Sequence, residues 1–170
     1  MALEQAQQQH GQAFEGDQGL EEHVVKIYRC STVVKGGRRF SFAALVVVGD
    51  RHGNIGIGYG KAREVPMAVD KGIKDAKKAM VHVSLTGNTI PHQVTGQFGA
   101  SRVVLVPAGA GTGVIAGKNV RPMLQLAGIK DILTKAYGST SAKNLVKAAM
   151  NGLRQLRTLE EIKRLRGVEI

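Results

Sequence analysis

The chain has 170 residues, a length that suits one large domain or two small ones. Hydrophobic residues make up 43% of it, enough for a core, but only 4% are aromatic and none is Trp, so any base-stacking platform would be thin. The net charge is +11, and all 24 Lys and Arg residues follow residue 23, against 8 of the 13 acidic residues. We expect so basic a body to bind nucleic acid, the alternative being a solvated basic surface.

The same composition argues against several other classes of protein. Cys30 is the single cysteine, which excludes an intrachain disulfide and disfavours a Cys-based metal site, and the five histidines show no close ligand spacing. No apolar run reaches transmembrane length, and the Gln-rich N-terminus lacks the basic and apolar regions of a signal peptide. We therefore expect an intracellular protein that uses no metal, cofactor or membrane.

Four segments are predicted in chain order. Residues 1–20 hold six Gln and few apolar side chains, which is typical of a disordered tail, here an acidic one. Residues 21–84 are predicted to form a first α+β domain, residues 92–157 a second one, and residues 158–170 a C-terminal helical tail. The stretch from Ser84 to Pro91 links the two domains.

The first domain is predicted to contain a three-stranded antiparallel sheet and one helix. Apolar runs and turn residues place strands at Val24–Val34, at Arg39–Val48 and from Ile55 onwards, and a helix at Val65–Val81, where Pro66 suits the first turn. Side chains that alternate onto the expected core face of the second strand are Phe40, Phe42, Ala44, Val46 and Val48.

Glycines occupy every second position of the third strand. Gly56, Gly58 and Gly60 leave bare backbone on one face, while Ile57 and Tyr59 lie on the other. Because glycine weakens a strand, this pattern indicates that another group approaches closely. That group is the domain's own helix, RNA or another backbone, and the sequence leaves these alternatives open.

The second domain is predicted to combine strands, helices and a glycine-rich loop. The strands are at Val94–Phe98, Arg102–Val106 and Ile129–Tyr137, the loop is at Pro107–Gly113, and the helices are at Lys118–Leu126 and from the caps at Ser139–Ser141 to Leu156. Thr158 and Glu161 form a capping box, which predicts a final short helix carrying Lys163, Arg164 and Arg166.

The loop between the first two strands carries the sharpest functional signal. Lys35-Gly36-Gly37-Arg38-Arg39 places three cations within five residues at a hairpin tip, which can enter a groove or grip a bend of an RNA backbone. The alternative is an ordinary Gly-Gly turn with solvated charges. Lys61 and Arg63 precede the helix and could add phosphate contacts, whereas the helix lysines are as consistent with solvated i,i+4 ion pairs as with an RNA face.

The loop from Pro107 to Lys118 invites a nucleotide-binding interpretation. Thr112 stands where a P-loop requires Gly, and no Ser or Thr follows Lys118, so that motif fails. A loose dinucleotide pattern begins at Gly111, but its candidate ribose ligand, Asp131, stands near the start of a strand rather than at the end. Two alternatives stay open: the loop serves helix packing, or its backbone amides face RNA phosphate or a neighbouring protein.

Catalysis finds little support in the sequence. No nucleophile or metalloprotease motif occurs, and carboxylates are sparse in the body of the chain. We therefore predict no catalytic residue and no enzymatic activity, with a nucleotide-dependent enzyme using Gly109–Lys118 as the weakest alternative. The carboxylates between Val24 and Arg157 are Asp50, Glu64, Asp70, Asp75 and Asp131.

Five motifs resemble a known family, the bacterial form of the fifth protein of the small ribosomal subunit. They occur in the family's order, and the resemblance covers Glu21 to Arg166. The matching segments are Lys35–Arg38, Val47–Asp50, Gly58–Pro66, Gly111–Gly117 and Lys135–Ser139.

The resemblance implies an N-terminal domain like the double-stranded RNA-binding fold and a C-terminal domain of the ribosomal protein domain-two-like type, which several ATPases and kinases share. It implies a cytoplasmic protein of the ribosome that binds small-subunit rRNA and contacts the fourth and eighth small-subunit proteins. It also implies a place where mRNA enters the subunit, a role in decoding accuracy and assembly, and no homo-oligomer.

Residue by residue, the resemblance places Ser31–Arg38 beside the rRNA helix where spectinomycin binds, and places Gly113 and Arg121 at the contact with the fourth protein. Together with the cation pattern it gives two overlapping sets of candidates. Those for rRNA binding are Lys35, Gly36, Gly37, Arg38, Arg39, Lys61, Arg63 and Lys118. Those for contact with incoming mRNA are Arg29, Arg38, Arg39, Lys61 and Arg63.

Overall fold

The computed structural model describes residues 19–167, so residues 1–18 of the predicted tail and the last three residues of the chain lie outside the described part. Two α+β halves follow one another. The strands are β1 (Glu21–Val34), β2 (Gly37–Gly49), β3 (Asn54–Ala62), β4 (Val81–His82), β5 (Val94–Phe98), β6 (Ser101–Pro107), β7 (Val114–Ile115) and β8 (Ile132–Gly138). The helices are α1 (Val65–Lys78), α2 (Arg121–Leu126), α3 (Ala142–Leu153) and α4 (Leu159–Arg166).

The first sheet holds β1, β2, β3 and β4 in sequence order, with antiparallel neighbours throughout. The three long strands and the helix predicted for this half are confirmed. The short strand β4 was not predicted: α1 ends at Lys78, and Val81 pairs with Ile55 instead of continuing the helix. A lone apolar residue such as Val81 fits the stripe of a helix as well as a strand, so the pattern could not locate the helix end.

The glycine face of β3 is covered by α1. A Cβ atom on Gly58 would overlap the carbonyl oxygen of Gly72, and Cβ atoms on Gly56 and Gly60 would overlap the carbonyl oxygens of Ala76 and Ala68. Strand and helix therefore touch backbone to backbone, which only residues without a side chain permit. Of the three alternatives left open by the sequence, the domain's own helix is the group that approaches this face.

The second strand is buried on both faces rather than on one. Ala44, Val46 and Val48 pack towards α1, whereas Leu45 and Val47 belong to the core of the second half. Burial on the second face depends on a partner more than 50 residues away in sequence, which local alternation cannot reveal.

The predicted core position of Phe40 is wrong, because its side chain is 48% exposed. The third strand begins to pair with β2 only at Phe42, opposite Ala62. Residues of β2 before that point have no second neighbouring strand, so Phe40 lies beyond the end of the core.

The second sheet has the order β5-β6-β8-β7, with β7 parallel to β8 and the other pairs antiparallel. Helix α3 packs on β5 and β6, and a Cβ atom on Gly96 would overlap the carbonyl oxygen of Ala148. The opposite face of this sheet has no covering element among residues 19–167, and it leaves Ile115, Leu133 and Tyr137 exposed.

Several boundaries in this half differ from those predicted, and the two-residue strand β7 was not predicted. Strand β8 begins at Ile132 rather than Ile129, because the N–H groups of Lys130 and Asp131 donate instead to the carbonyl oxygen of Asn88, at 2.9 and 3.1 Å. Helix α2 begins at Arg121 rather than Lys118, and α3 ends at Leu153 rather than Leu156. These short turns at helix ends carry no signal in the apolar period.

The C-terminal capping box is confirmed. The side-chain oxygen of Thr158 accepts from the N–H of Glu161 at 3.2 Å, and the carboxylate of Glu161 accepts from the N–H of Thr158 at 3.0 Å. Gly167 ends α4 in the left-handed conformation, with φ 63°.

The two halves share one hydrophobic core. The turn after β2 docks on the end of α2, where Arg51 N–H donates to Leu126 O at 2.9 Å and Gly53 N–H donates to Ala127 O at 3.1 Å. Leu45 and Val47 lie in the same buried cluster as residues of β6, α2 and α3. The chain is therefore α+β with two halves held in a fixed relation, which sets the positions of the basic loops relative to one another.

Candidate nucleic-acid interface

The first two strands extend beyond the rest of their sheet as a two-stranded ribbon. Residues Cys30–Val34 pair only with Gly37–Ser41, since β3 reaches no further than the pair Phe42–Ala62. Every residue from 31 to 40 is exposed. The ribbon therefore carries the predicted RNA-binding loop away from the core, and we call residues 30–41 the basic ribbon.

Turn chemistry shapes the tip of the basic ribbon. Val34 pairs with Gly37, and Gly37 has φ 131°, a conformation that side chains rarely adopt. A Cβ atom on Gly36 or Gly37 would meet no heavy atom within 4 Å. The glycines serve the turn and leave open space at the tip, where a ligand backbone can approach.

Strand alternation sends the cations of the ribbon to different sides. Arg38 lies opposite Val33 and shares its face, whereas Arg39 lies opposite Thr32 on the other face. Lys35 stands in the turn itself. The three cations predicted to act together thus surround the tip rather than forming one row.

One face of the ribbon carries an arginine stacked on an aromatic ring. The guanidinium carbon of Arg29 lies 3.9 Å from the centroid of the Phe40 ring, within the range of a cation–π contact. Arg38 lies on the same face, two residues before Phe40. The contact gives the exposed Phe40 a role in the protein: it orients Arg29 at the base of the ribbon, where Arg29 pairs with Phe42.

The other face of the ribbon leads towards Lys61. Arg39 and Lys61 share this face, because Lys61 pairs with Ala43, four residues along β2 from Arg39. At about 3.3 Å per residue the two positions are roughly 13 Å apart along the strand. Arg63 follows the strand and is exposed just before α1. The structure therefore places Lys61 near the ribbon base and Lys35 at its tip.

Lys118 lies apart from the basic ribbon. It is exposed and lines a cavity of about 270 Å³ in the second half, together with Gly117 and Lys135. No ribbon residue lines this cavity. Any RNA contact of Lys118 would be a separate one.

One amide of the glycine-rich loop is already engaged within the chain. This amide, at Gly113, donates to the Asp131 carboxylate at 2.9 Å, and Asp131 is only 5% exposed. The next helix begins only at Arg121, so no helix N-terminus follows the loop directly. Asp131 is a structural anchor, which removes the ribose-binding role weighed for it.

Packing does not explain the other loop glycines either. A Cβ atom on Gly109, Gly111 or Gly117 would meet no heavy atom within 4 Å. Gly111 and Gly113 have φ values of 87° and 76°, so the loop needs glycine for its backbone conformation. Of the two alternatives for this loop, helix packing within the chain is therefore excluded at these positions.

Arg121 lines a cavity that Gly113 does not reach, although Val114, the next residue after Gly113, lines it too. This cavity measures about 650 Å³ between the two halves, and Arg121 and Arg51 both line it. It also contains acidic groups, and Arg51 pairs with Glu21 at 2.7 Å. Its mixed charge suits a protein neighbour better than a polyanion.

Two titratable groups near this region have shifted pKa values. Burial alone lowers the pKa of His23. Burial would raise the pKa of Asp50, but hydrogen bonds from the Asn54 side chain and the N–H groups of His52 and Asn54 outweigh it, and the pKa is lowered. Asp50 thus closes the β2–β3 turn as a charged carboxylate and has no catalytic partner.

The described part of the chain offers no metal centre. Residues 19–167 contain no group of three or more His, Cys, Asp or Glu side chains placed to hold an ion. No helix among them is long and apolar enough to cross a membrane.

Sequence reasoning missed two cations on α3. The ammonium of Lys143 lies 4.1 Å from the centroid of the Tyr59 ring, and that of Lys147 lies 4.8 Å from the centroid of the Phe98 ring. The four-residue spacing of Lys143 and Lys147 gives the signal that they share a helix face. Their aromatic partners come from two other strands and could not be found from spacing.

Comparison with known protein families gives two matches that together cover most of the chain. The family described as "Ribosomal protein S5, N-terminal domain" matches residues 20–84, and "Ribosomal protein S5, C-terminal domain" matches residues 96–166. The two family matches together cover the first sheet and all of the second sheet except the first two residues of β5.

Three curated relatives carry the name small ribosomal subunit protein uS5. The protein from Rhodopirellula baltica is 58% identical over 150 residues, which is 88% of this chain and 85% of the relative. That from Rubrobacter xylanophilus is 54% identical over 156 residues, with 92% and 78% covered. That from Syntrophobacter fumaroxidans is 56% identical over 151 residues, with 89% and 91% covered.

This degree of identity confirms the resemblance seen in the sequence and the expectation of a protein without enzymatic activity. The chain therefore belongs to the ribosomal protein S5 family and shares the structural role of that family in the cytoplasmic ribosome.

Proposed function

We propose that the chain binds small-subunit rRNA chiefly through the basic ribbon. The observation that carries the proposal is the projection of Lys35, Arg38 and Arg39 on a slender, fully exposed hairpin beyond the core. Lys and Arg side chains that neutralise phosphates release counterions, and this term dominates the affinity of most nucleic-acid complexes.

The geometry of the ribbon supports insertion rather than flat contact. Its cations surround the tip, so they can reach phosphates on two sides of a groove or of a bend in the RNA backbone. The bare backbone at Gly36 and Gly37 leaves room for close approach to a sugar–phosphate chain. The family resemblance implies the same role for residues 31–38, because it places them beside an rRNA helix.

We further propose that incoming mRNA passes along the same ribbon, from its base towards its tip. Arg29 and Arg38 lie on one face, with Arg29 stacked on Phe40, and Arg39 and Lys61 lie on the other. A guanidinium held on an aromatic ring is oriented in advance and stays weakly hydrated, which suits contact with single-stranded RNA. Arg63 extends this set towards α1.

The fourth and eighth small-subunit proteins are the proposed protein neighbours. Asp131 fixes the loop conformation at Gly113, and Val114, the next residue, lines the same cavity as the exposed Arg121. Gly113 and Arg121 form the proposed contact with the fourth protein. The exposed apolar side chains Ile115 and Leu133 on the open face of the second sheet provide further area of the kind that protein neighbours cover. Through these contacts the chain would support assembly and decoding accuracy.

A salt series tests the rRNA proposal. The variant Lys35→Gln/Arg38→Gln/Arg39→Gln removes the three ribbon charges, and Lys163→Gln/Arg164→Gln/Arg166→Gln removes three charges from α4 as a matched control. The plot of log association constant against log salt for small-subunit rRNA has a negative slope. The magnitude of that slope should decrease by about 2 to 3 in the ribbon variant, at roughly 0.7 to 0.9 per phosphate contact. An unchanged slope in the ribbon variant would reject the proposal.

The mRNA proposal needs a separate readout. Ribosomes that carry Arg29→Glu with Lys61→Glu should translate a message with a stable hairpin less well, relative to an unstructured message, than wild-type ribosomes do. Equal translation of both messages by the variant would argue against any contact with mRNA.

A further inference from the structure

Basic and aromatic side chains lie along the boundary between the two halves, on the face of β3 that Tyr59 and Lys61 share. Tyr59 and Phe98 are 36% and 37% exposed, and each ring carries a lysine of α3 above it, Lys143 and Lys147 respectively. Further along, a cavity of about 240 Å³ is lined by Phe98, Lys147 and Arg154. We call the surface formed by Tyr59, Phe98, Lys143, Lys147 and Arg154 the boundary groove.

The three cations of the boundary groove form one stripe of α3 and its C-terminal turn. Positions 143, 147 and 154 are separated by four and seven residues, which places them on the same side of a helix. At 1.5 Å per residue the stripe is roughly 16 Å long, enough to follow several successive phosphates of one strand.

Acidic partners do not explain this stripe. No carboxylate lines the cavity beside Phe98 and Arg154. Among residues 19–167, no carboxylate oxygen lies within 4 Å of the side-chain nitrogens of Lys143, Lys147 or Arg154. The carboxylate of Asp75 accepts a hydrogen bond from the N–H of Tyr59 at 3.0 Å, but none of the three cations has an ion-pair partner within the described part of the chain.

Helix stability does not explain the stripe either. Lys143 stands in the first turn of α3, where the helix dipole disfavours a cation, and no acidic residue offsets it there. The aromatic rings hold both lysines in place, so their ammonium groups lose less side-chain entropy when an anion binds. The arrangement is that of a surface prepared for an anionic ligand.

We propose that the boundary groove binds the sugar–phosphate backbone of rRNA as a second contact, distinct from the basic ribbon. The inference rests on the proposed rRNA-binding function and assigns that function to a further surface. Lys61, on the same face of β3 as Tyr59, connects the groove to the base of the ribbon, so one RNA segment can follow both.

The test compares three variants of the full chain with small-subunit rRNA over a salt series. Lys143→Gln/Lys147→Gln/Arg154→Gln removes the groove charges, Lys143→Arg/Lys147→Arg/Arg154→Lys keeps them, and the α4 control removes three charges elsewhere. The magnitude of the salt slope should decrease by about 2 to 3 in the first variant. In the second variant it should equal the wild-type value. If the triple variant does not fold, the single variant Lys147→Gln, which alters one half-buried charge, should reduce the magnitude of the slope by about 0.7 to 0.9.

The outcomes separate the groove from the ribbon. If wild-type protein binds rRNA and the groove variant keeps its slope, the groove inference is wrong and the ribbon proposal stands. If the α4 control lowers the slope equally, the effect is one of net charge, and the groove is rejected as well. If the groove variant loses binding to an acidic ribosomal protein while its rRNA slope is unchanged, the groove binds protein rather than rRNA. If the wild-type protein does not bind rRNA, both proposals are wrong.

Discussion

Gly58 and Gly72 face each other so closely that a Cβ atom on Gly58 would overlap the carbonyl oxygen of Gly72. This contact joins the middle of β3 to the middle of α1, and neither backbone can move without disturbing the sheet. The first half of the chain is built on this approach, and the basic ribbon projects from the sheet that it stabilises.

Gly58→Ala should therefore destabilise the protein strongly. The added methyl group meets backbone rather than a flexible side chain, so we expect a loss of about 3 kcal/mol or more in the free energy of unfolding. Gly36→Ala is the matched control, because its Cβ atom meets nothing within 4 Å. Urea unfolding of both variants measures the difference, and similar midpoints would contradict the packing described for β3.

Two substitutions in β2 test where the core ends. Leu45 is buried and Phe40 is about half exposed. Leu45→Ala should lower the free energy of unfolding by about 2 to 5 kcal/mol. Phe40→Ala should lower it by less than about 1 kcal/mol and should instead reduce translation of a message with a stable hairpin, because Arg29 loses its ring. Equal losses of stability in Leu45→Ala and Phe40→Ala would show that Phe40 belongs to the core.

The turn residue Asp50 gives a pH dependence of stability. Its pKa is lowered in the folded protein, so its contribution is present above the ordinary carboxyl pKa and is lost as the pH falls through the folded pKa. Asp50→Asn should thus be less stable than wild type at pH 7, and the difference should shrink below about pH 4. Denaturant unfolding of both proteins at pH 7 and pH 3 measures it, and a difference independent of pH would contradict the role of the charge.

Asp131 should support the loop at Gly113 without touching rRNA. Asp131→Ala leaves the Gly113 N–H without its partner, which should cost about 1 to 3 kcal/mol of stability. Binding to the fourth small-subunit protein should weaken in a pull-down, while the salt slope for rRNA stays unchanged. A lower slope in Asp131→Ala would show that the loop faces RNA instead.

The sequence predicted most of the elements because each half follows local rules. Alternation, turn residues and caps placed β1 to β3, α1 and the box at Thr158 correctly. Local rules failed where a segment distant in sequence determines the burial or the hydrogen-bond partner of a residue. Leu45 is buried by the second half, Val81 joins β3 instead of α1, and the amides of residues 130 and 131 bond to Asn88.

The candidate site shows the same division. Lys35, Arg38 and Arg39 could be chosen from the sequence because they are neighbours in the chain. Lys143 and Lys147 could not, since the rings beneath them belong to β3 and β5. The local sequence also could not show which group approaches the glycines of β3, because a helix and an RNA strand both require backbone without side chains.

The central claim is that the tip of the basic ribbon lies against small-subunit rRNA. It is tested most directly by an iron chelate attached through a cysteine at position 36, in a protein with Cys30→Ala, after assembly into small subunits. Hydroxyl radicals from Gly36→Cys should cleave a compact set of rRNA nucleotides, whereas the same chelate on Glu160→Cys of α4 should cleave a different set. Absence of rRNA cleavage from position 36, in subunits that contain the labelled protein, would contradict the account.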